Sequence, residues 1–145
     1  MTGWLLDTNV LSAFAPGKPP IQPHAAAWFR ERDDALFLSS ITAAEIEAGI
    51  SKLDRTGSAR RADDVRRWLD QILSLYADRV LPFDLPAARR AGALADAAVA
   101  IGRHPGFPDI AIAAIAQSRD LIILTLNLRH FDPLGVETIN PFERN

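Results

Sequence analysis

Asp7 closes a short apolar run, WLL, and Asn127 follows a second run, LIIL, by three residues. Glu45 sits about one turn into a stretch of helical periodicity, and Asp109 opens another, DIAIAAIA. In an open parallel α/β sheet, sites form outside the carboxyl ends of the strands, so these four positions could converge there. Four oxygen-bearing side chains suit a magnesium or manganese ion. Such ions take hard oxygen ligands, few in number, with water and a substrate phosphate completing an octahedron. Each residue also has a plain structural role open to it. Asp7 could cap or turn the chain after a strand. Asp109 could complement a helix dipole. The helix it opens has almost no polar face, however, so its carboxylate should be nearly buried and in need of a cation or strong donors. Glu45 could be an ordinary solvated residue, as Glu47 is, although Ala44, Ala48 and Gly49 around it are small. Asp84, followed by Pro86, reads as a helix cap.

Other chemistries fall away. The chain has no cysteine, which excludes disulfides, zinc–thiolate sites, iron–sulfur clusters and a thiol nucleophile. His24, His104 and His130 share no ligand spacing and read as non-ligands. There is no G-x-S-x-G elbow, no P-loop and no G-x-G-x-x-G. The net charge of −2 argues against a basic nucleic-acid coat protein, so a polyanion would need a local cationic patch. Arg60, Arg61, Arg66, Arg67 and Arg129 are the candidates, at least half of them being read as solvated surface. The apolar run over residues 110–116 is far shorter than a membrane span of roughly 20 residues. No export segment is visible, and the cytoplasm is the expected compartment.

The elements that must position these residues follow from length and periodicity. The 145 residues suit one domain over 1–145, with its core at about 3–142. Strands are expected at 3–6, 35–39, 80–83, 121–124 and 136–139. A helix capped by Thr8 or Asn9 follows the first strand, and another covers 24–32. A third starts at Ser40 or Thr42 and carries Ile46, Ile50 and Leu53 on one stripe. Further helices are expected at 58–78, from Asp84 to about 102, and at 108–117, with a loop at 127–133 and a tail at 141–145. Strands alternating with helices give an α/β class with a mainly parallel central sheet flanked by helices.

In order along the chain, LLDTNVLSAF, LSSITAAEIEAGI, LPFD, FPDIAIAAIA, ILTLNLRHF and INPF resemble the PIN-domain ribonucleases. Within them the ordered set looks like the VapC/FitB-like toxins of type II toxin–antitoxin systems. The resemblance implies a single PIN domain and a metal-dependent endoribonuclease using Mg²⁺, with Mn²⁺ as the alternative ion. The family's first three acids map to Asp7, Glu45 and Asp109, with Asp7 and Asp109 as main ligands and Glu45 acting chiefly through water. Its fourth acidic position maps to Asn127, a departure that keeps a carbonyl oxygen but removes one negative charge. One strong metal site is therefore expected rather than two, with Asp132 as a nearby substitute. Thr8, Asn9, Ser39 and Thr125 match polar positions that would orient the ligands. The implied partners are an RNA substrate, a cognate inhibitory antitoxin and a second copy of the chain. DNA would be reached only through the antitoxin, and no membrane is involved. An antitoxin segment would cover apolar surface near Leu11, Phe14, Ile46 and Ile50, some of which must instead fill the core.

Three rival readings are weighed. A haloacid-dehalogenase-type domain needs a second Asp two residues after the first, and Asn9 stands there. A phospho-receiver needs a lysine after a late strand, whereas the only lysines are Lys18 and Lys52. A catalytically weak PIN scaffold acting through partner binding would be favoured by loss of Asp7, Glu45 or Asp109, and all three are present.

Overall fold

Short runs of Leu, Ile and Val without polar alternation are what strands need when both sheet faces are covered. The computed structural model describes residues 2–143. In it β1 (Trp4–Leu6), β2 (Leu36–Ser39), β3 (Val80–Leu81), β4 (Ile122–Leu124) and β5 (Thr138–Ile139) form one sheet of order β3-β2-β1-β4-β5. Every neighbouring pair is parallel. The helices are α1 (Thr8–Ser12), α2 (Pro23–Glu31), α3 (Ser40–Arg55), α4 (Ala59–Tyr76), α5 (Leu85–Ala100), α6 (Phe107–Ser118) and α7 (Leu128–Phe131). The chain builds outward from β1 through β2 to β3, then returns to the other side of β1 with β4. The direction of winding thus reverses between β1 and β4, the point where sheets of this kind place a ligand crevice at the carboxyl ends of their strands.

The two-residue period of the strands divides the core. Leu5 and Ile123 pack on one face with α5, α6 and the buried Phe131 and Leu134. Leu6, Leu36, Leu38 and Leu124 pack on the other with residues of α1 to α4. Residues Ile110 to Ala116 of α6 are all buried, as expected of a helix without a polar face.

Several local expectations are corrected. Asp7 itself, not Thr8 or Asn9, is the N-cap of α1. The third helix starts at Ser40 as expected, with Ser39 as its N-cap, the Ser39 Oγ accepting from the Thr42 N–H at 3.1 Å. The long helix stops at Tyr76 and gives way to a 3₁₀ turn, Ala77–Arg79. Residues 127–133 are not a plain loop. They hold α7 and the start of a 3₁₀ turn, Asp132–Leu134, because Phe131 and Leu134 must reach the core. The Asp84 cap holds, with Oδ1 accepting from the Ala87 N–H at 3.1 Å. Of the expected tail, residues 144 and 145 lie outside the described residues. Phe142 packs against Phe14 and Phe29, and a ring nitrogen of His24 donates to its carbonyl at 3.0 Å. His24 is a structural residue. No helix among the described residues is long and apolar enough to cross a membrane.

Candidate active site

Strand register alone lines up the polar residues that follow the apolar runs. Leu5 pairs with Phe37 on one side and with Ile123 on the other. Two residues further on, the same register sets Asp7 between Ser39 and Thr125, all on the face that α6 covers. The Thr125 hydroxyl donates to Asp7 Oδ2 at 2.8 Å, and the Thr8 N–H donates to Oδ1 at 2.8 Å. Asp7 is only 6% exposed and Thr125 is fully buried. Asp7 is therefore both a cap and a buried carboxylate, and the two readings of it are compatible.

Glu45 arrives from α3. Its Oε1 accepts the Thr8 hydroxyl at 2.6 Å. Since that uses the only Thr8 hydroxyl proton, the 3.0 Å contact between Thr8 and Thr42 has Thr42 as donor. Ser39 Oγ in turn donates to Thr42 at 3.3 Å. A directed chain of hydroxyls thus runs from Ser39 through Thr42 and Thr8 to Glu45. Thr42 was missed as a site residue by sequence reasoning, although its position three after Ser39 is the spacing of a capped first turn.

Asp109 opens α6 with a side chain 25% exposed, and the His130 ring nitrogen Nδ1 lies 3.4 Å from its Oδ2. It is half-buried, less enclosed than the apolar helix suggests. His130 is no isolated histidine, since α7 brings it to the rim of the acids. Its place three residues after Asn127 was the available signal. Asn127 is exposed, and its backbone N–H donates to Thr125 Oγ1 at 3.0 Å. Asn9 ties α1 to the same loop by accepting the Leu126 N–H at 3.2 Å. Asp132 is exposed, and among the described residues no hydrogen bond or ion pair joins it to the acids.

Burial and like charge act together on the acids. Burial pushes the Asp7 carboxyl above its ordinary range, and the charges of Asp109 and Glu45 push it further, against the hydrogen bonds from Thr125 and Thr8. Burial likewise raises Asp109; His130 opposes this and Glu45 adds to it. Like charges in a partly dry pocket favour protonation unless a cation joins them. Among the described residues, no three Asp, Glu or His side chains close into a ready metal cage. Glu45 is turned to Thr8, both Asp7 oxygens accept hydrogen bonds, and Asp109 faces His130. Such an open set of hard oxygens fits Mg²⁺ or Mn²⁺, which one or two carboxylates hold while water and phosphate fill the other positions.

The cationic flank is redrawn. Arg66 pairs with Asp54 and Asp63, and Arg67 with Asp64, so these two charges are matched within the chain. Of the four apolar residues near the expected partner surface, Leu11, Ile46 and Ile50 are the ones that fill the core, and Phe14 is partly exposed.

Thr125→Val keeps the shape but removes the donor to Asp7 and the acceptor of the Asn127 N–H. Stability is expected to fall by about 1–3 kcal/mol, the cost of leaving buried polar groups unpaired. Urea unfolding measures this, and an unchanged midpoint would contradict the arrangement.

A doubly wound parallel sheet with an acidic crevice at its switch point is the frame of a PIN domain. The model of the PIN domain family matches residues 4–134, and the chain belongs to that family. Over nearly its whole length it is similar to proteins with VapC and FitB names. It is 34% identical over 140 residues to the VapC ribonuclease Y4jK of Sinorhizobium fredii, covering 96% of this chain and 97% of that one. It is 32% identical over 140 residues to the toxin FitB of Neisseria gonorrhoeae, covering 95% and 97%. The crystal structure of FitAcB from Neisseria gonorrhoeae superposes with a TM-score of 0.82 at 32% identity, over 97% of this chain and 99% of that chain.

Proposed function

We propose that this chain is the toxin of a type II toxin–antitoxin pair. In this reading residues 1–145 are one PIN domain with its core at about 3–142, and the protein hydrolyses RNA phosphodiester bonds in the cytoplasm with Mg²⁺ or Mn²⁺. The observation that carries the reading is the buried Asp7, held on both oxygens by Thr125 and the Thr8 N–H beside the charges of Asp109 and Glu45. The likeness to a VapC ribonuclease and to the FitB toxin supports the substrate and the biological role.

Asp7 and Asp109 would hold the ion, with Glu45 and Asn127 reaching it through water. When bound, the ion supplies charge that polarises a phosphoryl oxygen and acidifies a water. Thr125 and the Thr8 N–H fix both oxygens of Asp7, so its carboxylate is oriented before substrate arrives. Thr8 holds Glu45 Oε1 and leaves Oε2 to take a proton from the attacking water. The water oxygen bonds to phosphorus as the bond to the leaving ribose oxygen breaks, and that oxygen takes up a proton from solvent. The negative charge of the pocket also explains how a partner would silence it. An Arg or Lys from the cognate antitoxin would neutralise the acids and take the place of the ion. We further assign a homodimer and a toxin–antitoxin hetero-oligomer, with DNA touched only through the antitoxin.

Two measurements test this. Asn127→Asp is expected to tighten metal binding and Asn127→Ala to cost less than Asp7→Asn, because a neutral amide attracts Mg²⁺ less than a carboxylate does. Calorimetric metal titration reads both, and a larger loss at Asn127 than at Asp7 would contradict the ligand order. Co-purification with the product of the adjacent gene, followed by an RNA cleavage assay, tests inhibition. A bound partner that leaves the cleavage rate undiminished would refute it.

A further inference from the structure

We propose that a cleft beside Asp109 is a phosphate-binding subsite that holds one backbone phosphate of the RNA next to the bond being cut. The proposal rests on the ribonuclease reading above. The cleft measures about 340 Å³ and is lined by Arg103, His104, Asp109, Arg129, His130 and Pro133 among others. That volume is at the small end for ligand sites and suits one nucleotide unit rather than a folded segment of protein.

Two separate segments deliver the guanidinium groups, and each is anchored. At the end of α5, Gly102 adopts φ +74°, its N–H donates to the Val99 carbonyl at 2.9 Å, and the Arg103 N–H donates to the Ala98 carbonyl at 2.9 Å. This pair of bonds is a Schellman closure, which sets the direction in which the chain carries Arg103 away from the helix. Arg129 lies on α7, whose Phe131 is fully buried in the core. Among the described residues neither arginine has a carboxylate partner, whereas Arg66, Arg67 and Arg119 all do. Asp109 in the cleft is faced by His130, with Nδ1 3.4 Å from Oδ2, and among the described residues it pairs with neither guanidinium. Two unmatched cations on one small cleft repel each other until an anion joins them. Guanidinium forks match phosphate oxygens in geometry as well as charge. The cleft is continuous with the acids through Asp109, so a strand with its scissile phosphate at Asp7 and Asp109 would bring a neighbouring phosphate to Arg103 and Arg129.

The test uses the whole protein in EDTA, where binding is read apart from cleavage. Affinity for a fluorescent single-stranded RNA is measured across a salt series for wild type and for the double variant Arg103→Gln, Arg129→Gln. The double variant is expected to bind about tenfold more weakly, with a salt slope smaller by about 0.7 for one lost phosphate contact. Inorganic phosphate should bind wild type and not the double variant. Arg55→Gln, on the last turn of α3, should change neither reading. Both arginines are exposed, so folding should survive; should the double variant fail to fold, Arg129→Gln alone is expected to give a smaller change of the same sign. RNA binding equal to wild type would overturn the proposal. So would arginine-dependent binding of phosphate or of polyglutamate without arginine-dependent binding of RNA. Arginine-dependent RNA binding by a protein that cleaves no RNA with Mg²⁺ would uphold the subsite and remove the ribonuclease reading.

Discussion

Asp7→Asn is expected to reduce RNA cleavage by about 10³-fold or more while making the metal-free protein more stable. The loss follows from removing a charged ligand whose ion contributes several kcal/mol at the transition state, each 1.36 kcal/mol being tenfold in rate. The gain in stability follows from burial. Asp7 is 6% exposed, and its folded-state carboxyl titrates above the ordinary value of 3.8. The folded state therefore holds a proton that the unfolded state has already lost. Stability falls as pH rises from about 3.8 through the raised folded value, and the deficit persists at neutral pH. Asn carries no charge and escapes that deficit. It can still accept from the Thr8 N–H through its oxygen, and its amide can donate to Thr125. The melting temperature without metal should therefore rise. Added Mg²⁺ should stabilise wild type and leave the variant unmoved, since binding to the folded state alone raises stability. Thermal melts at neutral pH with and without metal read these effects, and a less stable variant without metal would contradict the electrostatic account.

Phe131→Ala is expected to be the most damaging single change to the fold. Phe131 is fully buried and belongs to the cluster that includes Leu5, Ile112 and Ile123. Deleting such a ring costs about 3–5 kcal/mol, a large part of the 5–15 kcal/mol typical of a domain. The melting temperature should drop by roughly 10–20 °C. The damage should also reach the site, because Phe131 anchors α7, which carries Arg129 and His130 and follows directly on Asn127. Activity should fall at temperatures where the variant is still folded, and Phe131→Leu should recover most of the stability. A loss below about 1 kcal/mol would show that the helix is seated by something else.

What the sequence discloses is set by how local each signal is. The runs WLL and LIIL are continuous and apolar, so their strands were readable, and with them the place of Asp7 at a strand end. The place of Asp109 at the head of an apolar helix was readable from IAIAAIA, but its burial was not, since the side chain is 25% exposed beside His130. The α7 helix was not, since four residues show no period, and only the burial of Phe131 and Leu134 explains why the chain coils there. The contact of His130 with Asp109 depends on where α7 docks, which no local pattern records. The pairing of Asp63 with Arg66 and of Asp64 with Arg67 was available from the three-residue spacing on one helix. The burial of Leu11, Ile46 and Ile50 was less so, because an apolar stripe looks the same whether a core or a partner covers it.

In the proposed reaction Asp7, Glu45 and Asp109 make one metal-dependent site for RNA hydrolysis. Cleavage of RNA by the purified protein tests it most directly, with Mg²⁺ titrated in, removed by chelation and restored, beside an Asp109→Asn variant shown to be folded by circular dichroism. The account predicts cleavage that follows the Mg²⁺ concentration, stops on chelation, returns on restoration and is absent in the variant. Cleavage undiminished by chelation, or retained by the folded variant, would contradict it.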